Sequence, residues 1–380
     1  MKKLLLATTA LVATAGVAAA QDTDLGVAIT GFAELGVFDP GDDASLQFHT
    51  DIDATFTMTG ETDGGLSFGA DIDLDETDTD RTVPIAVNRA GGVTGNVEDL
   101  VVDTDGDGMI SADEFDAFRS LDTITADNVE VGGSPAFDNS TQGGESIFIS
   151  GAFGTLTMGD TDGAVDWALQ EASIGSSLND DEEHAGWNGN SGLDGTYDGQ
   201  IARYEYAFGP VAAAVSAEID DDDGGDPAVG IGVRYSTSFQ GVGVGFGLGY
   251  QRIEAIDFDF DEDEATDDEG TADVIGVSAD VDFGQGFRGI LNYSEADNLG
   301  YDRHVGAAVG YTVDALTVAA NWGRFDGVEG SDAASVGEGY ALVVNYDLGG
   351  GAEAQFGVAQ NDPEDGDDFV DYSLGIAMSF

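Results

Sequence analysis

Cysteine is absent from the 380 residues of the chain, and basic residues are scarce. The lack of cysteine excludes disulfide bonds and thiol chemistry. Lysine and arginine together number 11 against 75 aspartate and glutamate residues, which gives a formal net charge of -64. Both lysines, Lys2 and Lys3, stand at the start of the chain, so the later basic residues are arginines and histidines. A chain this acidic is not expected to bind nucleic acid or another polyanion.

A long apolar run is also missing after residue 20. No later stretch reaches the roughly 18 uncharged apolar residues that a membrane-spanning helix requires. Residues 1–20 themselves begin with two lysines, continue with an apolar run from Leu4 to Val17 and end in Ala18-Ala19-Ala20. This order is typical of an export signal peptide that is removed on maturation. Any insertion of the mature chain into a membrane must therefore use strands.

The chain does show a strict alternation of apolar residues with small or polar ones, which is clearest in its last segment. Large apolar residues occupy one face of that segment and small or acidic residues occupy the other. The two faces are Tyr372, Leu374, Ile376, Met378 and Phe380, and Asp371, Ser373, Gly375, Ala377 and Ser379. A period of two with such faces is typical of a strand between lipid and water.

The same alternation recurs in about sixteen segments, an even number as in bacterial outer-membrane barrels. Short turns rich in glycine separate pairs of segments, and longer acidic loops separate the pairs from one another, an asymmetry that these barrels share. An open sheet cannot enter lipid, because its edge hydrogen bonds would remain unsatisfied. We therefore predict an all-β fold, a sixteen-stranded antiparallel transmembrane β-barrel over residues 21–380, with tyrosines near the strand ends in contact with outer-membrane lipid.

The acidic composition has two readings. An acidic chain with 57 glycines could be disordered, but 42% hydrophobic residues and 21 phenylalanines argue against disorder. The carboxylates are concentrated in loops and on one strand face. They suit either solubility in a salty medium, where screening shortens repulsion, or a cation pathway.

One insertion, residues 78–143, does not fit the barrel pattern. Its residues 103–114 have the spacing of an EF-hand calcium loop, with Gly108 at the sharp turn and short helical patterns on both sides, over about residues 96–121. The expected oxygen ligands are Asp103, Asp105, Asp107, the Met109 carbonyl, Ser111 and Glu114. An all-oxygen set favours calcium over transition metals. No second loop of this spacing is present, so we expect weak calcium binding that orders the loop or, alternatively, gates a pore.

Several short segments resemble a known family. They are Phe56-Thr-Met-Thr-Gly, Gly65-Leu-Ser-Phe-Gly-Ala, Ile147-Phe-Ile-Ser-Gly-Ala-Phe-Gly, Leu156-Thr-Met-Gly-Asp and Tyr346-Asp-Leu-Gly-Gly-Gly-Ala. In these segments the chain is similar to the Rhodobacter-type general diffusion porins of alphaproteobacteria. The resemblance implies a homotrimeric barrel in the outer membrane of a Gram-negative bacterium. It also implies that the third external loop, residues 161–199, folds into the lumen as a constriction, and that assembly machinery reads the terminal Phe380.

The resemblance and the strand parity together predict the pore-lining residues. The acidic ones are Asp51, Asp53, Asp71, Asp73, Asp162, Asp166, Glu171, Asp180, Asp181 and Glu205. The basic ones are Arg203, Arg234 and Arg288, while Arg252, Arg303 and Arg324 are expected nearer the rim. Each arginine could instead form a local salt bridge in the wall. Because carboxylates outnumber arginines, we expect a cation-preferring channel for small hydrophilic solutes and ions.

Other functions have little support in the residues. His49, His184 and His304 lie far apart and form no metal spacing, and no nucleophile motif is present, so we expect no enzyme. His304 near Asp302 is interpreted as a polar residue of the rim rather than a catalytic one. The alternative to a porin is a calcium-dependent surface or adhesive protein anchored by a barrel. The length of the third loop, too great for a simple turn, favours the porin.

Overall fold

The structure is a computed structural model, and its description covers twelve ranges of the chain. These are residues 26–41, 46–76, 86–87, 93–94, 140–178, 192–197, 199–219, 226–257, 269–299, 301–327, 336–363 and 368–380. The chain divides into two compact units, residues 1–74 together with 142–380, and residues 75–141. The predicted signal peptide, residues 1–20, lies outside the described residues.

Alternating segments form strands throughout the first unit, as their period of two predicts. The strands are β1 (Gly26–Asp39), β2 (Gln47–Glu61), β3 (Ser67–Glu76), β6 (Ser140–Gly151), β7 (Gly154–Asp160), β8 (Gln200–Phe208), β9 (Val211–Glu218), β10 (Ala228–Phe239), β11 (Val242–Asp257), β12 (Glu269–Gly284), β13 (Phe287–Asp297), β14 (Arg303–Val313), β15 (Leu316–Asp326), β16 (Val336–Gly349), β17 (Ala352–Pro363) and β18 (Phe369–Ser379). They pair in sequence order into one closed barrel, which confirms the predicted sixteen-stranded fold.

The barrel closes between its first and last strands. β1 and β18 are antiparallel, with Phe32 opposite Ser379 and Asp39 opposite Tyr372. Beyond that ladder, the Phe380 N–H donates to the Gly31 carbonyl at 2.8 Å, and the Gly31 N–H donates to the Phe380 carbonyl at 3.2 Å. This pairing removes both sheet edges, which a membrane barrel requires because lipid offers no hydrogen-bond partners.

The two faces of the wall differ as the sequence pattern predicts. On β18, Asp371 and Ser373 are 5% and 0% exposed on the lumenal face, whereas Leu374 on the outward face is 54% exposed. Outward side chains along the other strands are mostly apolar, as contact with lipid demands.

Tight turns join the strands at one end of the barrel. Asp314, between β14 and β15, has a φ of 53°, in the left-handed region that a short reversal uses. Longer connections lie at the other end, where residues 161–199 separate β7 from β8. In outer-membrane barrels the end with long loops is the external one.

The second unit is described only in part. Its described residues include β4 (Ala86–Val87) and β5 (Val93–Thr94), which pair antiparallel. The predicted calcium ligands at 103–114 lie outside the described residues. Among the described residues, no helix is both long and apolar enough to cross a membrane.

Candidate functional site

Residues 161–178, here called the lumenal segment, lie inside the barrel and follow its wall. Polar side chains of five strands, spaced around the wall, hold its backbone. The contacts are Ala164 N–H to Ser216 Oγ on β9 at 2.8 Å, Gln170 N–H to Ser278 Oγ on β12 at 2.9 Å, Asn292 Nδ2 on β13 to the Gln170 carbonyl at 2.9 Å, Ser176 N–H to Asn345 Oδ1 on β16 at 3.1 Å and Leu178 N–H to Ser373 Oγ on β18 at 3.3 Å. The segment therefore covers the wall from β9 around to β18.

Glycines in the wall make this close approach possible. A Cβ atom added at Gly232 would lie 2.0 Å from the Ala164 carbonyl oxygen, and one added at Gly247 would lie 2.1 Å from that of Ala168. No side chain fits at such distances, so the loop backbone packs directly on the strand backbone. Short helix α1 (Ala164–Ala168) lies at this contact, with Ala164, Val165, Trp167 and Ala168 buried.

A second stretch of the same loop, residues 192–197 with Gly199, is held by the wall and by the lumenal segment. Buried Glu218 on β9 accepts hydrogen bonds from the N–H groups of Gly195, Tyr197 and Gly199 at 3.0, 3.2 and 2.8 Å. Three charge-assisted hydrogen bonds to one carboxylate make a strong anchor, which offsets the cost of burying Glu218 at 1% exposure.

Gln251 on β11 joins the two stretches of the loop. Its Oε1 accepts from the Leu193 N–H at 3.0 Å, and its Nε2 donates to Asp194 Oδ1 at 2.8 Å. Asp194 Oδ2 in turn accepts from the Gly163 N–H at 2.6 Å. The loop is thereby closed on itself as well as fixed to the wall.

Part of the remaining wall, the lumenal faces of β2, β3, β6 and β7, is here called the open wall. It carries Asp51, Asp53, Asp71 and Asp73 on β2 and β3, where parity predicts them. Thr55 and Thr57 donate to Asp73 and Asp71 at 3.0 and 2.7 Å, which fixes these carboxylates along the wall. No lysine or arginine occurs in residues 26–76, so this side of the lumen is negative.

The three predicted lumenal arginines do face inward, and each contacts another charge or a ring. Arg203 Nη1 donates to the Asp162 carbonyl at 2.5 Å, and its Nε lies 3.9 Å from Glu205. Arg288 forms a two-point hydrogen bond with Asp280, at 2.9 and 2.8 Å. Arg203 and Arg288 therefore form the local ion pairs that the sequence left as one of two alternatives.

Arg234 is the third of these arginines. Its Cζ atom lies 4.4 Å from the centre of the Trp167 ring, so the ring of α1 covers the guanidinium. A cation over a tryptophan face is attracted by the ring quadrupole. Arg234 therefore joins the wall to the lumenal segment and presents less charge to the pore than its parity suggests.

Two other sets of predicted residues are only partly placed. Asp162, Asp166 and Glu171 belong to the lumenal segment, but Asp180 and Asp181 lie outside the described residues. Arg252, Arg303 and Arg324 lie on outward faces of the wall, next to Glu254, Asp326 and Glu338.

His304, interpreted from the sequence as a polar residue of the rim, is buried in the structure. Its side chain is fully buried, 4.6 Å from the Phe325 ring, and neither ring nitrogen has a hydrogen-bond partner in the described part of the chain. Parity places it inward, and the Phe325 ring beside it also contacts the Tyr301 ring, at a centroid distance of 5.2 Å. Burial of the Tyr301 phenol raises its pKa, in keeping with a sealed environment.

Sequence reasoning missed Trp167, Gln251 and the wall glycines. Gln251 follows Gly245, Gly247 and Gly249 on the inner face of β11, and a single polar residue after a run of glycines is a signal that could have indicated a loop anchor. Within the described ranges, no group of three histidine or acidic side chains is placed to hold a metal ion.

Comparison with known proteins agrees with this geometry. A family profile described as Gram-negative porin matches residues 7–366. No curated protein sequence matches the chain.

Several solved structures share this fold. A porin refined at 1.8 Å resolution matches with a TM-score of 0.54 and 20% identity, covering 93% of this chain and 100% of that one. A triple mutant of Rhodopseudomonas blastica porin matches with a TM-score of 0.53 and 15% identity over the same shares. A third structure, described as concerning asymmetric conductivity of engineered proteins, matches with a TM-score of 0.54 and 15% identity, again over 93% and 100%. At these identities the likeness concerns the fold.

Proposed function

Because the chain belongs to the Gram-negative porin family, we propose that its lumen is a cation-preferring, water-filled pathway for passive diffusion of small hydrophilic solutes and ions. The family and the barrel locate the protein in the outer membrane as a channel of a class that is not enzymatic. The finer resemblance to Rhodobacter-type porins supports the same function.

The charge of the open wall carries the cation preference. Asp51, Asp53, Asp71 and Asp73 face the lumen on two adjacent strands that carry no arginine. The lumenal arginines lie elsewhere, each beside a carboxylate or under Trp167. The carboxylates of the open wall therefore attract a passing cation. The lumenal arginines, which could attract a passing anion, are already in contact with carboxylates or with the Trp167 ring.

The test compares lumenal and outward carboxylates. Asp71→Asn with Asp73→Asn removes two charges from the open wall while leaving side chains that still accept from Thr57 and Thr55. The control is Asp273→Asn with Asp297→Asn, which removes two outward carboxylates that lie opposite each other on β12 and β13. We expect the lumenal pair to lower the cation-to-anion permeability ratio in planar bilayers at low salt, and the control to leave it unchanged. Equal effects of the two pairs would refute a lumenal origin of the selectivity.

We also propose that residues 103–114 bind one calcium ion and order the external insertion. The spacing of Asp103, Asp105, Asp107 and Glu114 around Gly108 supports this. Isothermal titration with Asp103→Asn and Glu114→Gln as knockouts tests it. Binding that survives both substitutions would rule out this loop, and conductance that differs between calcium and chelator would favour gating over ordering.

The adhesive alternative makes a different prediction, since it expects a barrel without solute conductance. The lumenal segment argues for a channel, because a mere anchor has no need of a loop fixed at several points inside its barrel.

Assembly into a homotrimer is proposed from the outward faces. Tyrosines and tryptophan of the interfacial belts occur on β8, β10, β11, β13, β14, β15, β16 and β18, whereas residues 26–76 and 140–160 contain neither residue type. Such aromatic belts lie where a barrel contacts lipid headgroups. The outward faces of β1, β2, β3, β6 and β7 lack these residues, so they are the proposed subunit interface. Ile52→Trp there should escape quenching by brominated lipid, and Leu291→Trp on the far side should be quenched; equal quenching would contradict the interface.

A further inference from the structure

The strands β1 and β18 are neighbours in the barrel but come from opposite ends of its chain. Every other pair of neighbours in the described barrel follows in chain order, so a turn or a longer connection joins it. The β1–β18 seam is held by noncovalent contacts alone. Opening it exposes two strand edges, for which lipid offers no hydrogen-bond partners. The seam is therefore the place where the barrel is least protected against sideways opening.

Two glycines lie directly opposite each other at this seam and face the lumen. They are Gly36 of β1 and Gly375 of β18. Because neither has a side chain, the inner surface of the seam has a recess to which both strands contribute. The next inward residues along the two strands are all buried, with exposures of 6% or less: Glu34, Phe38, Ser373 and Ala377.

Leu178, at the end of the lumenal segment, occupies this recess. Its side chain is fully buried. A Cβ atom added at Gly36 would lie 2.4 Å from Leu178 Cδ1, and one added at Gly375 would lie 2.6 Å from the same methyl group. The Leu178 N–H also donates to Ser373 Oγ on β18 at 3.3 Å. One side chain from a distant part of the sequence therefore packs on both strands of the seam.

Ser176, two residues earlier, is fixed to the wall beside the seam. Its N–H donates to Asn345 Oδ1 on β16 at 3.1 Å, and its carbonyl accepts from Asn345 Nδ2 at 2.7 Å. Gln355 Nε2 on β17 donates to Ser176 Oγ at 3.2 Å. Residues 176–178, here called the seam strap, therefore contact β16, β17, β18 and β1 in that order and cross the seam from inside.

We propose that the seam strap holds the β1–β18 seam closed and that it docks only when the barrel has closed. Each strand contributes one glycine to the recess, so the recess is complete only when the two strands are paired. A contact that exists in the closed barrel alone favours closure over opening, as binding to one of two states does. This role of the strap does not depend on which ions pass through the lumen.

Leu169 provides a matched control within the same lumenal segment. It is also buried, at 7% exposure, and packs with Val165 and Val274. Its Cδ1 lies 2.4 Å from the position of a Cβ atom added at Gly276 on β12. The seats of Leu169 and Leu178 thus share the close approach to a wall glycine, but the seat of Leu169 lies on β12, which has chain connections to both of its neighbours.

The test compares Leu178→Ala with Leu169→Ala in the full-length protein in liposomes. Hydrogen exchange of the seam amides, residues 32–39 and 372–379, is followed by mass spectrometry. We expect Leu178→Ala to accelerate this exchange by about tenfold or more, because the deleted methyl groups leave a cavity in the seat. Leu169→Ala should leave exchange at the seam unchanged.

A disulfide across the seam separates the strap from a general loosening of the loop. The chain has no cysteine, so Leu35→Cys with Ile376→Cys, an opposed pair on the outward face, forms one defined bridge. With the bridge oxidised, Leu178→Ala should no longer accelerate exchange at the seam, and reduction should bring the acceleration back.

Three results would overturn the proposal. They are seam exchange in Leu178→Ala equal to that of the unaltered protein, an equal acceleration in Leu169→Ala, and an acceleration by Leu178→Ala that persists while the bridge is oxidised. If Leu178→Ala does not assemble, Leu178→Val and Leu169→Val replace the alanine variants. A smaller acceleration confined to the Leu178 variant is then expected, and its absence would count against the strap.

Discussion

The Gly163 N–H donates to Asp194 Oδ2 at 2.6 Å, and this hydrogen bond joins the two stretches of the lumenal loop. Gln251 of the wall donates to the other oxygen of the same carboxylate at 2.8 Å. The Asp194 carboxylate thus links the two stretches of the loop to each other and to the barrel wall. A loop held in this way moves with the wall, so the described geometry favours a constriction of fixed shape.

The anchor at Glu218 can be tested by hydrogen exchange. Glu218→Ala leaves the N–H groups of Gly195, Tyr197 and Gly199 without their acceptor, at a cost of about 1–3 kcal/mol for each buried orphan. We expect exchange at these three amides to accelerate by about tenfold or more, whereas core strand amides keep their protection. Glu218→Gln, which retains one acceptor oxygen, should show an intermediate effect. Unchanged exchange in Glu218→Ala would mean that other contacts hold the loop.

Two glycines on β11 form a matched pair for testing the docked loop. A Cβ at Gly247 would lie 2.1 Å from the Ala168 carbonyl oxygen, whereas one at Gly245 would have its nearest neighbour at 3.8 Å. Gly247→Ala should therefore displace the lumenal segment, cost about 1–3 kcal/mol by overpacking and alter single-channel conductance. Gly245→Ala should do neither, and similar conductances for the two variants would argue against close docking in the membrane.

Trp167 and Arg234 give a prediction on selectivity. Trp167→Leu keeps an apolar side chain in the cluster with Ala164, Ala168 and Ala214 but removes the ring over the guanidinium. The uncovered positive charge should lower the cation-to-anion permeability ratio. The double variant Trp167→Leu with Arg234→Gln should restore that ratio, and a failure to restore it would show that Trp167 acts through loop position instead.

His304 offers a prediction on stability. Because its ring is fully buried and both nitrogens lack partners among the described residues, it carries an uncompensated desolvation cost. His304→Phe, which places an apolar ring beside Phe325, should raise the thermal midpoint of the barrel, by an amount equivalent to about 1–3 kcal/mol. A lowered midpoint would indicate that the imidazole has a partner in the membrane-bound protein.

The barrel could be predicted from the sequence because the alternation of side chains between the two faces of a strand is a local property. Whether Asp371 or Leu374 faces the lumen depends only on the period of two and on lipid contact. The same parity placed Arg203, Arg234 and Arg288 inward, and the pairing of β18 with β1 followed from the need to close the sheet.

The contacts of the loop were not readable, because they join residues far apart in the chain. Ala164 meets Ser216 and Gly232, and Gln170 meets Ser278, through distances that no local pattern encodes. The contact of Trp167 with Arg234 and the burial of His304 beside Phe325 also depend on residues that are distant in the chain. The sign of the lumenal charge could therefore be predicted from composition. Which arginines solutes can reach depends on how the loop packs in the lumen, and only the structure shows that.

The zero-current potential of the unaltered protein in a planar bilayer, under a gradient of potassium chloride at low salt, tests the central claim most directly. The negative open wall on β2 and β3 predicts a potential of the sign that marks potassium permeation over chloride, shrinking as salt screens the carboxylates. A potential of the opposite sign, or no conductance at all, would contradict a cation-preferring channel.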